Sequence, residues 1–194
     1  MKSFKKKKVY IPIIFLLIIF STYVVIDRTS IEEVHNDSTH VLFNSYEELF
    51  DNSDIVFEVV ATNNTKNLTQ EVDGYPEGYT LTSVKVNQVL KNAGNVEIGE
   101  YFEVAEPYFI WDKGIVPGKQ KITYDGYTEL QGDASYVLFL KWGEGINGYW
   151  INSLEQGKHN IDGKDLKEKE VMENKGQYRT LKNEIIEAFN EQKN

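Results

Sequence analysis

One stretch of this chain is too apolar, for too long, to be left in water. From Val9 to Ile26 run eighteen residues without a charge, VYIPIIFLLIIFSTYVVI, behind the cluster Lys5-Lys6-Lys7-Lys8 and ahead of Asp27 and Arg28. As a helix rising about 1.5 Å per residue the segment reaches ~27 Å, close to the hydrocarbon thickness of a bilayer and longer than the ~7 to 15 residues of a signal-peptide core. Pro12 falls in the first turn, where its missing N–H is tolerated, and every other backbone group can pair inside the helix. Positive flanks are retained on the cytoplasmic side, so the lysines hold the N-terminus inside and place everything after Asp27 outside. Residues 1–8 therefore read as a cytoplasmic basic segment and 9–26 as a transmembrane signal-anchor of the cell membrane. Cleavage and secretion is the competing reading. Against it, no pair of small residues of the A-x-A kind closes the run, since Ser21 and Thr22 are followed by Tyr23 and Val24.

The net charge of -9 is unevenly spread. Five of the 21 basic residues lie in the first 26, which hold no acid, so 16 basic residues face 30 acidic ones in the remainder, a balance of -14. Such a field repels phosphate backbones, and nucleic acid is excluded as a partner class. The chain has no cysteine, which removes disulfide frameworks, thiolate metal sites and cysteine nucleophiles together.

Residues 27–40, DRTSIEEVHNDSTH, are polar without a sustained period and read as a tether. A domain of residues 41–194 follows. Ser45-Tyr-Glu-Glu48 has the form of a capping box and predicts a short helix through Phe50. Beyond it the period becomes two. Alternation over 54–64 predicts a first strand, 79–90 a second and 100–106 a third, and SYVLFLKW, Ser135 to Trp142, is the most hydrophobic and is read as central. Two further short strands fall at 148–153 and 159–161. Leu181, Ile185, Ala188 and Phe189 mark one face of a final amphipathic helix.

Short strands flanked by a helix at each end argue for a mainly β fold, a small antiparallel OB-like barrel preceded by one transmembrane helix. The pattern D-I-V at 54–56, V-K-V-x-x-V-L-K at 84–91, G-x-x-x-Y-V-L-F-L at 132–140 and G-K-H-x-I-D-G at 157–163 resembles exported or membrane-anchored OB-like proteins of Gram-positive bacteria, similar in barrel pattern to netrin and tissue metalloproteinase-inhibitor domains. The resemblance covers roughly residues 45–163 and speaks to fold. The inhibitor branch works through a disulfide-held N-terminal cysteine, which this chain lacks.

Few residues carry a chemical signature. Gly143-Glu-Gly145-Ile-Asn-Gly148 matches G-x-G-x-x-G, but it leads into the strand-like Tyr149-Trp-Ile151 rather than a helix, so it reads as a hairpin loop. His35 and His40 fall in the tether, and His159 has no G-x-S-x-G serine to serve. No metal or cofactor site is read. The stretch Glu103 to Asp112 combines carboxylates with three aromatic rings at a strand edge, near which Tyr124, Tyr127, Trp142 and Trp150 are expected. Within it Glu106, Tyr108, Trp111 and Asp112 are the candidate ligand contacts, because rigid rings beside acceptors suit sugar or peptide recognition. The alternative is that Phe109 and Trp111 cap the core. The composite reading is a membrane-anchored binding module outside the cytoplasmic membrane, with an envelope protein or glycan as partner. A glycan hydrolase using paired carboxylates is a second reading and a structural spacer a third.

Overall fold

The computed structural model describes residues 4–174 and 176–192, so Met1, Lys2 and Ser3 of the expected basic segment lie outside the described residues. In chain order the elements are α1 (Phe4–Thr29), β1 (Ile31–Asn36), α2 (Tyr46–Asn52), β2 (Ile55–Val72), β3 (Tyr75–Asn92), β4 (Tyr101–Glu106), β5 (Tyr108–Asp112), β6 (Lys119–Tyr124), β7 (Ser135–Gly143), β8 (Gly148–Ile151), a 3₁₀ turn (Leu154–Gly157), β9 (Lys158–Asn160), α3 (Leu166–Asn174) and α4 (Gly176–Gln192). The fold is mainly β behind an apolar N-terminal helix. It divides into two compact units: a smaller one with residues up to Val34 and Ile110–Ile122, and a larger one with His35–Phe109 and residues from Thr123 onward.

In the smaller unit, α1 carries the apolar run and is long and apolar enough to span a membrane. Its two hydroxyl-bearing threonines satisfy themselves on the preceding turn, Thr22 Oγ1 donating to Ile18 O at 2.9 Å and Thr29 Oγ1 to Val25 O at 2.7 Å. The expectation of a tether over 27–40 is corrected here. α1 continues to Thr29, and β1 occupies Ile31–Asn36 at the edge of a three-stranded sheet of order β1-β6-β5. β1 is exposed along most of its length, so it lacks the apolar alternation by which strands are recognised; backbone pairing and the ion pairs Glu32–Lys113 (3.4 Å) and Glu33–Lys121 (3.8 Å) hold it instead. The stretch between the expected third strand and Ser135, to which the sequence assigns no element, likewise contains β5 and β6.

The larger unit begins at His35, ahead of the expected boundary at Val41. Ser45 caps α2 as its sequence predicts, its hydroxyl accepting from Glu48 N at 3.3 Å, while Glu48 Oε2 takes the N–H of Asn44 at 2.9 Å. β2 and β3 form an antiparallel ribbon of eighteen residues each, closed by Asp73 (φ 52°) and Gly74 (φ 82°), the left-handed pair that a tight two-residue hairpin requires. Register shifts after Val56, Glu58 and Ala61 bend this ribbon. The six-stranded sheet has the order β2-β3-β4-β8-β7-β9, with a further antiparallel pairing of β2 with β7.

β7 is central, as its composition predicts. It pairs with β2 along one side and with β8 and β9 along the other, and every residue from Tyr136 to Leu140 is buried. Its two faces serve two cores. Tyr136, Leu138 and Leu140 join Ile55, Phe57, Val59, Val84 and Val104 in one cluster. Val137 and Phe139 join Val56, Leu49 of α2, and Leu181, Ile185 and Phe189 of α4 in the other. The apolar stripe of α4 thus covers the second face of the sheet.

Truncating a side chain in that second core leaves a cavity that the packed sheet cannot collapse around. Phe139→Ala is expected to lower stability by about 3–5 kcal/mol in urea unfolding followed by near-UV circular dichroism. Removing Lys85, whose ion pair with Glu100 at 3.3 Å is solvent-exposed, should change it by less than ~0.5 kcal/mol.

Candidate functional site

The expected contacts Glu106 and Tyr108 prove to be interior groups. In β4 residues two apart share a face, so Glu106 points the same way as the buried Val104 and opposite to the exposed Glu103. The Glu106 carboxylate is fully buried. It accepts from Tyr127 OH at 2.8 Å, from Leu130 N at 2.7 Å and from the hydroxyl of Thr82. Burial pushes its pKa above the usual carboxylate range, although the hydrogen bonds from Thr82, Leu130 and Tyr127 and the charge of Lys158 oppose the shift. Tyr108 is buried and stacks on Tyr127 with ring centroids 6.5 Å apart. Neither side chain offers a surface to a ligand, which corrects the expectation for both. Phe109 is likewise fully buried. Trp111 and Asp112 belong to the smaller unit, where Trp111 is half-buried and Asp112 Oδ1 accepts from Gly114 N at 2.8 Å in a tight turn.

The histidines are equally engaged. His159 is fully buried between Tyr178, stacked at 5.6 Å, and the edge of Phe139 at 5.9 Å, with Nε2 2.6 Å from Gln156 O. Burial, against the raising effect of the Gln156 carbonyl, drives its pKa down to about 3, so it stays neutral at physiological pH and has no solvent access through which to act as a base. His35 and His40, expected in a solvated tether, instead contact Thr123 Oγ1 at 2.8 Å and Asp125 Oδ2 at 3.2 Å.

The accessible aromatic surface lies elsewhere in the larger unit. A cavity of about 530 Å³ is lined by Leu68, Gln70, Glu77 and Tyr79 of the β2–β3 ribbon, by Tyr124, by Ile146 of the β7–β8 loop and by Trp150 of β8. Tyr79 and Trp150 meet edge to face at 5.2 Å, and Gln70 Nε2 approaches Glu77 Oε2 at 3.5 Å. A second depression of about 340 Å³ shares Tyr79 and Ile146 and continues the surface over Tyr101, Glu103, Trp142 and Tyr149. Trp142 packs edge to face on Tyr149 at 5.0 Å and remains 42% exposed.

Two glycines make this groove possible. A Cβ on Gly143 would sit 2.4 Å from the Trp150 indole, so only glycine lets that ring lie across the end of β7. At Gly78 a Cβ would come 2.4 Å from Leu68 O and 2.9 Å from the Phe109 ring. The G-x-G-x-x-G run is the β7–β8 hairpin, Gly143 pairing with Gly148, and Ile146 at its tip lines the groove. Of the groove residues, Glu103 belongs to the stretch that the sequence singles out and Tyr124, Trp142 and Trp150 to the rings expected near it, whereas Tyr79, Gln70 and Glu77 are not among its candidate contacts. Their signal was the Asp73-Gly74 pair, which extends the ribbon and carries alternate side chains out to this face.

A third concavity of about 510 Å³ mixes apolar and polar lining, among them Leu42, Leu154, His40, Asp125, Glu155 and Tyr178. Three non-glycine residues on its rim, Asp125, Ser153 and Leu154, have φ between 49° and 57°, a conformation costly for a leucine. Glu155 Oε1 accepts from Thr128 N and from Thr128 Oγ1 at 2.9 Å, while Oε2 is buried without a hydrogen-bond partner among the described residues. The hydroxyl of Ser38 is the main cause holding the Asp125 carboxyl below its usual range. No known family, curated protein or solved structure matches the chain at a significant level.

The pKa of Glu106 yields a test of its interior role. Because burial raises it in the folded state, its contribution to stability is complete below the unfolded value near 4.5 and is lost as pH rises through the folded pKa. Glu106→Gln, neutral at every pH, should therefore remove part of the decline in melting temperature between pH 4.5 and 8 relative to the wild type. Identical pH profiles for the two proteins would return Glu106 to the list of exposed, functional acids.

Proposed function

We propose that the chain is a single-pass membrane protein, N-terminus inside, that presents its larger unit outside the cytoplasmic membrane as a glycan-binding module of the cell envelope. Two features support the location: the apolar run of α1 and the lysine cluster at its N-terminal end. An OB-like barrel is the architecture we assign to the larger unit. The strand pairings β2–β3, β3–β4, β4–β8, β8–β7 and β7–β2 return to their starting strand, although the β4–β8 link is a single parallel bridge between Ala105 and Trp150. This accords with the resemblance to membrane-anchored OB-like proteins, which bears on fold; OB-folds as a class include binders of oligosaccharides.

The observation that carries the binding reading is the aromatic groove, where Tyr79 and Trp150 form a platform beside Gln70 and Glu77. Flat rings bury the apolar faces of sugar rings, and an amide and a carboxylate at the edge meet their hydroxyls. The acidic surface favours a neutral or amino-bearing glycan over an anionic one. Hydrolysis finds less support, because Glu103 and Glu106 face opposite sides of β4 and do not share one cleft.

Binding of solubilised envelope glycan, followed by isothermal titration calorimetry, is the experiment. Trp150→Ala is expected to weaken it about tenfold or more, with the melting temperature little changed, and Tyr79→Ala to act in the same direction. Undiminished binding by both variants would overturn the groove assignment.

A further inference from the structure

Exposed apolar side chains of the smaller unit are not confined to α1 and Ile31; two more stand together in the β5–β6 loop. Ile115 is 92% exposed and Val116 is 58% exposed, at the tip of the β5–β6 hairpin in the sequence Lys113-Gly-Ile-Val-Pro-Gly-Lys119. The hairpin is fastened to α1 at two points, Tyr23 OH donating to Ile115 O at 2.9 Å and Gly118 N to Asp27 Oδ1 at 3.3 Å, and at a third to the residue that follows the helix, Lys119 N donating to Ser30 O at 2.9 Å. Gly118 (φ 97°) suits a backbone conformation that L side chains rarely adopt, and a Cβ here would be tight against Ser30 O at 3.2 Å.

We propose that this hairpin is a second membrane contact, with Ile115 and Val116 inserted among the outer-leaflet lipids beside α1. The inference rests on the reading of α1 as a membrane span and adds to it. Tyr23 lies five residues before Arg28, the first cation after the apolar run, which at ~1.5 Å per residue sets the Ile115 carbonyl about 7–8 Å below that charge along the helix. Interfacial segments bury their apolar residues about 5–10 Å into the boundary between headgroups and acyl chains. Backbone at that depth needs an internal partner, and the Ile115 carbonyl has one in the Tyr23 hydroxyl. Tyrosine is itself an interface residue, and the flanking Lys119 can extend its ammonium group to the headgroups. The hairpin thereby fixes how the smaller unit stands on the membrane, where a helix alone would leave it able to swivel.

The absence of cysteine makes a direct measurement simple, because any introduced cysteine takes a fluorescent label at one position. The full-length protein in phosphatidylcholine nanodiscs, labelled at Ile115→Cys, is compared with Phe15→Cys in α1 and with Tyr75→Cys, which is exposed in the larger unit. The Ile115 label is expected to be quenched by lipid carrying a nitroxide near the headgroup, and to be shielded from aqueous iodide severalfold relative to the Tyr75 label. Tyr23→Phe should reduce that lipid quenching. If the Phe15 label is quenched from the lipid but the Ile115 label behaves like that at Tyr75, the hairpin contact is overturned and the anchor stands. If the Phe15 label also behaves like that at Tyr75, the membrane reading fails and the hairpin contact with it.

Discussion

The larger unit depends on β7 being buried on both faces and paired on both edges. A strand in that position can expose no side chain without cost, which is why Tyr136 to Leu140 is a continuous apolar run where a half-buried strand would alternate. Its even-numbered residues meet the core built with β2, β3 and β4, and its odd-numbered ones meet α2 and α4. Each neighbour is thereby constrained. β2 follows the same division, Ile55, Phe57 and Val59 turning to one core and Val56 to the other. The C-terminal helix is needed because the second face would otherwise leave Val137 and Phe139 in water.

Around this apolar centre lies an unusual amount of buried charge. Lys158 is fully buried, with Nζ donating to Thr128 Oγ1 at 2.7 Å, 3.5 Å from Glu155 and 3.7 Å from Asp165, and above the Tyr127 ring at 5.0 Å. Tyr127 in turn donates to Glu106. Glu168 and Lys182 form a second buried pair at 2.7 Å, which Tyr178 joins. Such pairs regain little more than their desolvation costs, so their effect on net stability is small; breaking one half is expensive. What they contribute is geometry. Each links segments distant in sequence, β4 to the 127–130 loop and β9 to α3 and α4, and tolerates few alternative arrangements.

With Glu106 of β4 and the buried histidine committed to this interior, the accessible chemistry of the domain passes to the aromatic groove. The groove is assembled from parts that are unremarkable separately: an overlong hairpin, a glycine-rich loop and a tryptophan that fits only because Gly143 has no side chain. The same economy appears in the smaller unit, where a six-residue loop with two glycines and a proline holds Ile115 and Val116 away from the protein.

What the sequence determined by itself were the features with a local period or a local cap. The apolar run of α1, the Ser45 capping box, the hydrophobic β7, the stripe of α4 and the hairpin character of 143–148 all follow from interactions within a few residues. The extent of β2 and β3 was also written there, in Asp73-Gly74, though the irregular alternation around the bulges obscured it. Tertiary structure decided the rest. β1 has no apolar face and exists because β6 pairs with it. Glu106 looks like a surface acid in sequence and is interior because β4 turns it toward Thr82 and Tyr127. The groove joins Gln70, Tyr79 and Trp150 across β2, β3 and β8. Which polar side chains are buried and which rings are exposed depends on pairing between distant strands, and no pattern within a single strand records its partner.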